Sequence, residues 1–159
     1  AKIVFSPVGQ VVAGKSIRVD VFIDSNVAVN AVQLAITYPS TEITVSSVDT
    51  ATSRFTIKAE ETLMPGVIKI ARGNVQALKG KNLLASLNVI PKTTTSLSQF
   101  SYDKNDSLVM SKDNVNVLSG SQVLTIKPIT PTPTKNPKGG FTSILSKAVE
   151  EFFKGVFGR

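Results

Sequence analysis

Residues 15–39 read KSIRVDVFIDSNVAVNAVQLAITYP, and their apolar side chains recur at every second position. Polar residues such as Arg18 and Asp20 fill the alternate positions of the first half. Successive side chains of a β-strand point to opposite faces, so this period of two is typical of half-buried strands. The two predicted buried rows are Ile17, Val19, Val21 and Ile23, followed by Val32, Leu34, Ile36 and Tyr38.

The same pattern continues along the chain in short runs. Turn-forming residues separate the runs, for example at 24–26 and 79–80, and no helical periodicity precedes residue 140. The sequence therefore predicts an all-β fold over residues 1–127, a β-sandwich or jelly roll of about nine strands. A third buried row is predicted at Leu83, Ala85, Leu87 and Val89, and shorter strands at 2–5, 43–48, 55–59, 67–71, 97–102, 108–110 and 122–127.

The composition removes most catalytic chemistry. The 159 residues include no Cys, no His and no Trp. Without these, the chain has no thiol nucleophile, no disulfide framework and no histidine base for a hydrolytic triad. The acidic residues are spread thinly, and no glycine-rich phosphate loop occurs. The sequence therefore predicts that the chain is not an enzyme and uses no cofactor.

The net charge of +7 invites a nucleic-acid interpretation, but the distribution of charge argues against it. Residues 1–127 carry thirteen Lys and Arg against nine Asp and Glu, and residues 128–159 carry five against two. The cations are scattered singly, without the basic stripe that nucleic-acid binding requires. We predict no nucleic-acid partner.

Two weaker binding hypotheses come from individual residues. Asp103, Asn105 and Asp106 cluster in a predicted turn, where oxygen ligands are a calcium candidate, although Asx residues also stabilise turns locally. Carbohydrate binding is less favoured, because sugar-binding faces present aromatic rings and the chain lacks Trp. The remaining aromatic candidates for a sugar site are Tyr38, Tyr102 and Phe22.

Four segments of the chain contain motifs that follow one another in the order seen in cohesin-like domains, and the chain resembles those domains. The motifs are a Ser-Pro plus Gly start, a Val-Asp-Val strand, a strand running into a Tyr-Pro turn, and a Gly-x-Ile-Lys-Ile strand. The resemblance covers about residues 1–127. The segments are FSPVGQVVAGKSIRVDVFIDS (5–25), VNAVQLAITYPSTEITVSSVD (29–49), GVIKIARGN (66–74) and DNVNVLSGSQVLTI (113–126).

The resemblance implies a nine-stranded jelly-roll sandwich, related in architecture to some carbohydrate-binding modules. It also implies an exported prokaryotic protein, extracellular or on the cell surface, whose signal peptide has been removed and whose role is recognition or scaffolding. This chain joins Tyr38 directly to Pro39, where cohesin-like domains often have an intervening Asp. Dockerin recognition varies among relatives, so the resemblance assigns no contact residue here.

A Pro/Thr/Gly linker is predicted over residues 128–140, and an amphipathic helix over residues 141–159. The apolar residues of the helix recur every three or four positions, which places them on one stripe of a 3.6-residue helix. Left in water, that stripe would be an aggregation site, so we expect it to be covered. The stripe consists of Phe141, Ile144, Leu145, Ala148, Val149, Phe152, Phe153, Val156 and Phe157.

Several surfaces compete to cover this stripe: the chain's own sandwich, a membrane interface, and other protein subunits. The helix could also be the remnant of a longer chain. The sequence favours subunits, which predicts a structural protein that self-assembles on the cell surface as a filament, lattice or scaffold. The alternative is a cohesin-like adaptor or carbohydrate-binding module that the helix anchors peripherally to a membrane.

Overall fold

A computed structural model describes residues 1–92, 100–122 and 129, which contain eight β-strands and no helix. The all-β prediction is confirmed for these residues. The predicted helix, 141–159, and all of the predicted linker except Ile129 lie outside the described residues. The strands are β1 (Lys2–Val8), β2 (Ile17–Thr37), β3 (Ile43–Asp49), β4 (Ile57–Met64), β5 (Val67–Pro91), β6 (Ser101–Tyr102), β7 (Leu108–Ser111) and β8 (Gly120–Gln122).

The long strands β2 and β5 pair antiparallel over most of their length, and both layers of the sandwich are built on them. Residues 17–25 of β2 and 80–91 of β5 lie at the centre of the first layer, in the order β8-β1-β2-β5-β3. Residues 29–37 of β2 and 67–73 of β5 form the second layer, flanked by β4 on one side and by β6 and β7 on the other.

The core lies between the two layers, and it confirms the first two predicted rows. The eight side chains of these rows are all buried, the least buried being at 7 % exposure. They belong to one cluster with the inward side chains of β5. Phe100 lies at the centre of an aromatic group, with its ring centroid 5.8 Å from those of Phe5 and Tyr38. Alternation in the sequence therefore identified the buried face of both halves of β2.

The predicted turn at 24–26 is wrong, because β2 continues through it. The pairing register of β2 shifts between Ser25 and Val29 and again before Ala31, which marks β-bulges. A bulge bends a strand without ending it. Ser25 is paired with Gly80, whose φ of 78° is in the left-handed region that glycine tolerates. The two long strands thus bend together and pass from one layer to the other.

The third predicted row is wrong at one position. Leu83 is only half-buried, whereas Leu84 is fully buried. The cause is a register shift: Val21 pairs with Ala85, but Phe22 pairs with Leu83, so Leu84 is an extra residue in β5. An inserted residue reverses the alternation of side chains beyond it.

The predicted strand at 55–59 begins two residues too early, since β4 begins at Ile57. Phe55 lies in the preceding loop and is completely buried. Its carbonyl oxygen accepts a hydrogen bond of 2.7 Å from Nε of Arg72, a buried residue of the second layer. The loop therefore contributes to the core and is fixed by a charged side chain.

Carboxylates that accept hydrogen bonds make the stability of this fold sensitive to acid. Two bonds from Arg18, of 2.7 and 2.9 Å, and one of 2.7 Å from Ser86 lower the pKa of Asp20, against the opposing effect of burial. The pKa of Glu61 is also lowered, chiefly by the hydrogen bond of 2.6 Å from Thr50. Both groups therefore hold protons less tightly in the folded chain than in the unfolded chain.

We expect the free energy of unfolding to fall as the pH drops below about 4.5, the ordinary pKa of a glutamate. Above that pH both carboxyls are ionised in both states and their contribution is complete. Below it the unfolded chain takes up protons first, with a slope of at most about 1.4 kcal/mol per pH unit for each group. Urea unfolding between pH 2.5 and 7 measures this slope. The Asp20→Asn variant should show a shallower decline, and an unchanged decline would contradict the assignment to Asp20.

Candidate protein-interaction surface

The outer face of the second layer presents four rows of side chains that cross its strands. Residues directly opposed in an antiparallel pair share one face of the sheet, so the register defines each row. We call this surface the small-residue face. Its rows are Met110–Ala31–Gly73–Ile57, Leu108–Gln33–Ala71–Glu60, Ala35–Lys69–Thr62 and Ser101–Thr37–Val67–Met64.

Small residues keep the centre of this face flat. Ala31, Ala71 and Gly73 are neighbours on β2 and β5, the two central strands. A methyl group added at Gly73 would lie 3.4 Å from the carbonyl oxygen of Asn30, so even an alanine would be closely packed there. At these three positions no bulky side chain covers the strands, so a partner can approach the backbone closely there.

Apolar side chains line the margin of the small-residue face. Ile57 and Met64 lie near opposite ends of β4 and are 50 % and 45 % exposed. Leu108 and Met110 lie on β7 at the opposite margin and are half-buried. Flexible methionines adapt their shape to a bound surface, and exposed apolar patches mark interaction sites. The composition of this margin is suited to a protein partner.

One ion pair crosses the centre of the face. Nζ of Lys69 lies 2.5 Å from Oδ2 of Asp106, whose Oδ1 accepts a hydrogen bond of 3.1 Å from Nε2 of Gln33. The hydrogen bond from Lys69 lowers the pKa of Asp106, and the same bond raises the pKa of Lys69. Both side chains are 38 % exposed, so the pair contributes little to stability but places fixed charges where they can orient a partner.

The outer face of the first layer has a different character. Its cross-strand rows include the ion pair of Arg18 and Asp20, with Asn88 opposite Arg18 and Ser86 opposite Asp20. Asp49 of β3 extends the second of these rows. A polar face whose side chains hydrogen-bond to one another is typical of a sheet face that contacts solvent. Of the two outer faces, that of the second layer is therefore the better candidate for an interaction surface.

The calcium candidates lie in the turn between β6 and β7. Oδ1 of Asp103 accepts a hydrogen bond of 2.8 Å from the N–H of Asn105, which is an Asx turn. Asp106 is engaged by Lys69 and Gln33, as described above. Among residues 1–92, 100–122 and 129, no group of three or more His, Cys, Asp or Glu is placed to hold a metal ion.

The aromatic candidates for sugar binding are placed at separate positions. Tyr38 is buried, packs on Phe100, and donates its hydroxyl to the carbonyl oxygen of Met64 at 3.1 Å. Phe22 lies on the outer face of the first layer, with Nζ of Lys81 4.4 Å from its ring centroid. Tyr102 is half-buried against the core. These three rings do not form a common stacking platform.

The predicted interaction residues, 141–157, lie outside the described residues. The small-residue face was not predicted as a site. Its sequence signal is Ala31 on the outward side of β2, where an exposed strand face ordinarily carries larger polar residues. No helix in the described part of the chain has the length and apolar character needed to cross a membrane.

No model of a known protein family matches the chain, and no curated protein sequence matches it. Solved structures do. A non-cellulosomal cohesin from the archaeon Archaeoglobus fulgidus is 16% identical, with a TM-score of 0.63, over 80% of this chain and 90% of its own. The sixth cohesin of scaffoldin B from Acetivibrio cellulolyticus, in complex with a dockerin, is 14% identical, with a TM-score of 0.63, over 80% and 98%.

A type I cohesin–dockerin complex from Clostridium thermocellum contains a chain that is 13% identical, with a TM-score of 0.64, over 81% of this chain and 93% of its own. At these identities the similarity is one of fold. The matched chains are aligned over nearly their whole length, so the likeness extends to the complete module. The described residues of this chain therefore have a cohesin-like fold.

Proposed function

We propose that this chain is a non-enzymatic protein-interaction module that binds a partner protein on its small-residue face. The observation that carries the proposal is the flat, apolar-edged centre of the second layer, with one ion pair to orient the partner. The presence of dockerins in two of the similar structures supports a folded protein as the partner.

The size of the face supports assembly through more than one surface. Three strands contribute seven or eight residues of about 3.4 Å each, and the short strands β6 and β7 follow one another at a fourth position. With strands about 4.8 Å apart, the face covers roughly 400 Å². A stable interface buries about 800 Å² on each partner. The footprint of the face is therefore small, and a second contact would enlarge the interface.

The apolar stripe of residues 141–157 is the second contact in our proposal. The module is exported, and its predicted terminal helix packs into a neighbouring subunit, so that copies assemble into a filament, lattice or scaffold at the cell surface. Support comes from the sequence: nine apolar residues on one helical stripe follow a proline-rich segment that separates them from the sandwich.

The Ala71→Arg variant is expected to weaken partner binding at least about 100-fold while the domain stays folded. An arginine at the centre of a flat contact separates the two surfaces and leaves a charge without a partner, and such substitutions commonly cost 3 kcal/mol or more. The partner is first identified by a photo-crosslinking residue at position 71 in cells that make the protein. Binding to the purified partner is then measured by calorimetry.

The matched control is Asn88→Arg, on an exposed position of the outer face of the first layer. It adds the same side chain to the other face and should leave affinity unchanged. Equal losses from both variants, or crosslinks that form equally from positions 71 and 88, would place binding elsewhere.

A further inference from the structure

A groove opens at one end of the sandwich, where the edges of the two layers part. Its volume is about 280 Å³, and its walls come from β3, β4 and the segments that join the layers. Leu63 of β4 is 38 % exposed, although it shares its side of the sheet with buried core residues. The apolar lining consists of Tyr38, Ile43, Val45, Leu63, Met64 and Pro65.

The groove exists because its two walls belong to edge strands. Among the described strands, β3 and β4 each pair only with β5, and they lie on opposite layers. A hydrogen bond between Thr50 and Glu61 joins the two edges farther along. At the base of the groove the hydroxyl of Tyr38 donates to the carbonyl oxygen of Met64 at 3.1 Å.

Ile129, the last described residue, lies at the same end of the sandwich. The N–H of Ile129 donates to the carbonyl oxygen of Val11 at 2.9 Å. In the same loop, Gly14 donates to Pro91, which is paired with Ile43 in the groove wall. Eleven residues, 130–140, then precede the apolar stripe, and in the extended form that prolines favour they span about 34 Å.

We propose that this groove receives the terminal stripe of a second copy of the chain, with Phe153 and Phe157 as the inserted rings. The inference rests on the proposed function and names the receiving surface. Phenylalanines four residues apart lie on one side of a helix. A cavity of about 150 Å³ holds one benzene ring, so the groove, at about 280 Å³, has close to the volume that two rings need.

A second copy is the expected occupant because of the spacer. Pro131, Pro133 and Pro137 favour a semi-rigid, extended segment that carries the stripe away from its own domain.

The charges of the groove and of the stripe are also complementary. Lys92 lines the groove with its Nζ 2.8 Å from the carbonyl oxygen of Ser40, and Glu150 precedes Phe153 by three residues on the same side of the predicted helix.

Single cysteines test this arrangement, because the native chain has none. Full-length Lys92→Cys and Glu150→Cys proteins are mixed under mild oxidation. The proposal predicts that their disulfide-linked heterodimer forms at least about tenfold faster than the heterodimer of Val75→Cys with Glu150→Cys. Val75 is 88 % exposed and lies far along β5 from the groove. It is therefore a control for Lys92 that is also accessible to solvent but does not lie at the groove.

Equal rates in the two mixtures would overturn the groove as the receiving surface. A Lys92→Cys/Glu150→Cys double variant that closes its disulfide within one chain would overturn the second copy as occupant. Either failure is separable from failure of the proposed assembly. If assembly requires the stripe but is unchanged by substitution of Lys92, the proposed function stands and only the groove is excluded. If assembly persists in a chain without the stripe, both the proposed assembly and the groove are wrong.

Discussion

The Phe55→Ala variant is expected to lose about 4 kcal/mol of its free energy of unfolding, the range for truncating a fully buried phenylalanine being about 3–5 kcal/mol. Phe55 is completely buried although it lies in a loop. Loops seldom contribute a whole aromatic ring to a core. The ring belongs to the same buried cluster as the inward side chains of β2 and β5, so its truncation leaves a cavity in the core.

The hydrogen bond from Arg72 increases this cost. Nε of Arg72 donates to the carbonyl oxygen of Phe55, and its guanidinium lies 3.8 Å from a carboxylate oxygen of Glu61. If the shortened side chain lets the loop move, Arg72 loses an acceptor while it remains buried, and an unsatisfied buried charge is expensive. The expected loss is therefore at the upper part of the range.

Urea unfolding of the wild-type and variant proteins measures the difference. Val75→Ala, at a position that is 88 % exposed on β5, serves as the control and should change the unfolding free energy by less than about 0.5 kcal/mol. A loss from Phe55→Ala below about 1.5 kcal/mol would show that the loop is not part of the core.

Local patterns in the sequence predicted the buried rows of β2, because a strand with one face in the core needs alternation at each step. They failed at Leu84 and at residues 24–26, since a bulge depends on the register between two strands that lie about 60 positions apart. Asp24 and Asn26 are residue types that are common in turns, so the segment 24–26 resembles a turn in its composition. Nothing local distinguishes a strand that bends from a strand that ends.

The small-residue face could not be predicted from local sequence patterns, for a related reason. Ala31, Gly73 and Ile57 form one row only after three separate segments pair in register. Each residue alone is unremarkable, and no local pattern predicts their contact. The cohesin resemblance predicted the fold that brings them together, but the flatness of the face follows from the pairing.

A chain ending at Lys127 is expected to remain monomeric at concentrations where the full chain forms large assemblies. Light scattering and negative-stain microscopy compare the two, with circular dichroism to confirm that the shorter chain is folded. The same loss should follow from a single change in the stripe, Phe153→Lys. Exposing a lysine where a phenylalanine was buried removes about 2–3 kcal/mol, which is roughly a 30- to 150-fold weaker association.

The matched control is Glu151→Lys, which places the same side chain on the polar face of the predicted helix, opposite Phe153, and should assemble normally. This comparison separates the competing surfaces that could cover the stripe, because each one leaves a different signature. A full chain that is monomeric and floats with liposomes would favour the membrane anchor over assembly. Full and shortened chains that are both monomeric and ignore lipid would place the stripe on its own sandwich. Loss of assembly from Phe153→Lys, with Glu151→Lys unaffected, is the outcome that only packing between copies produces.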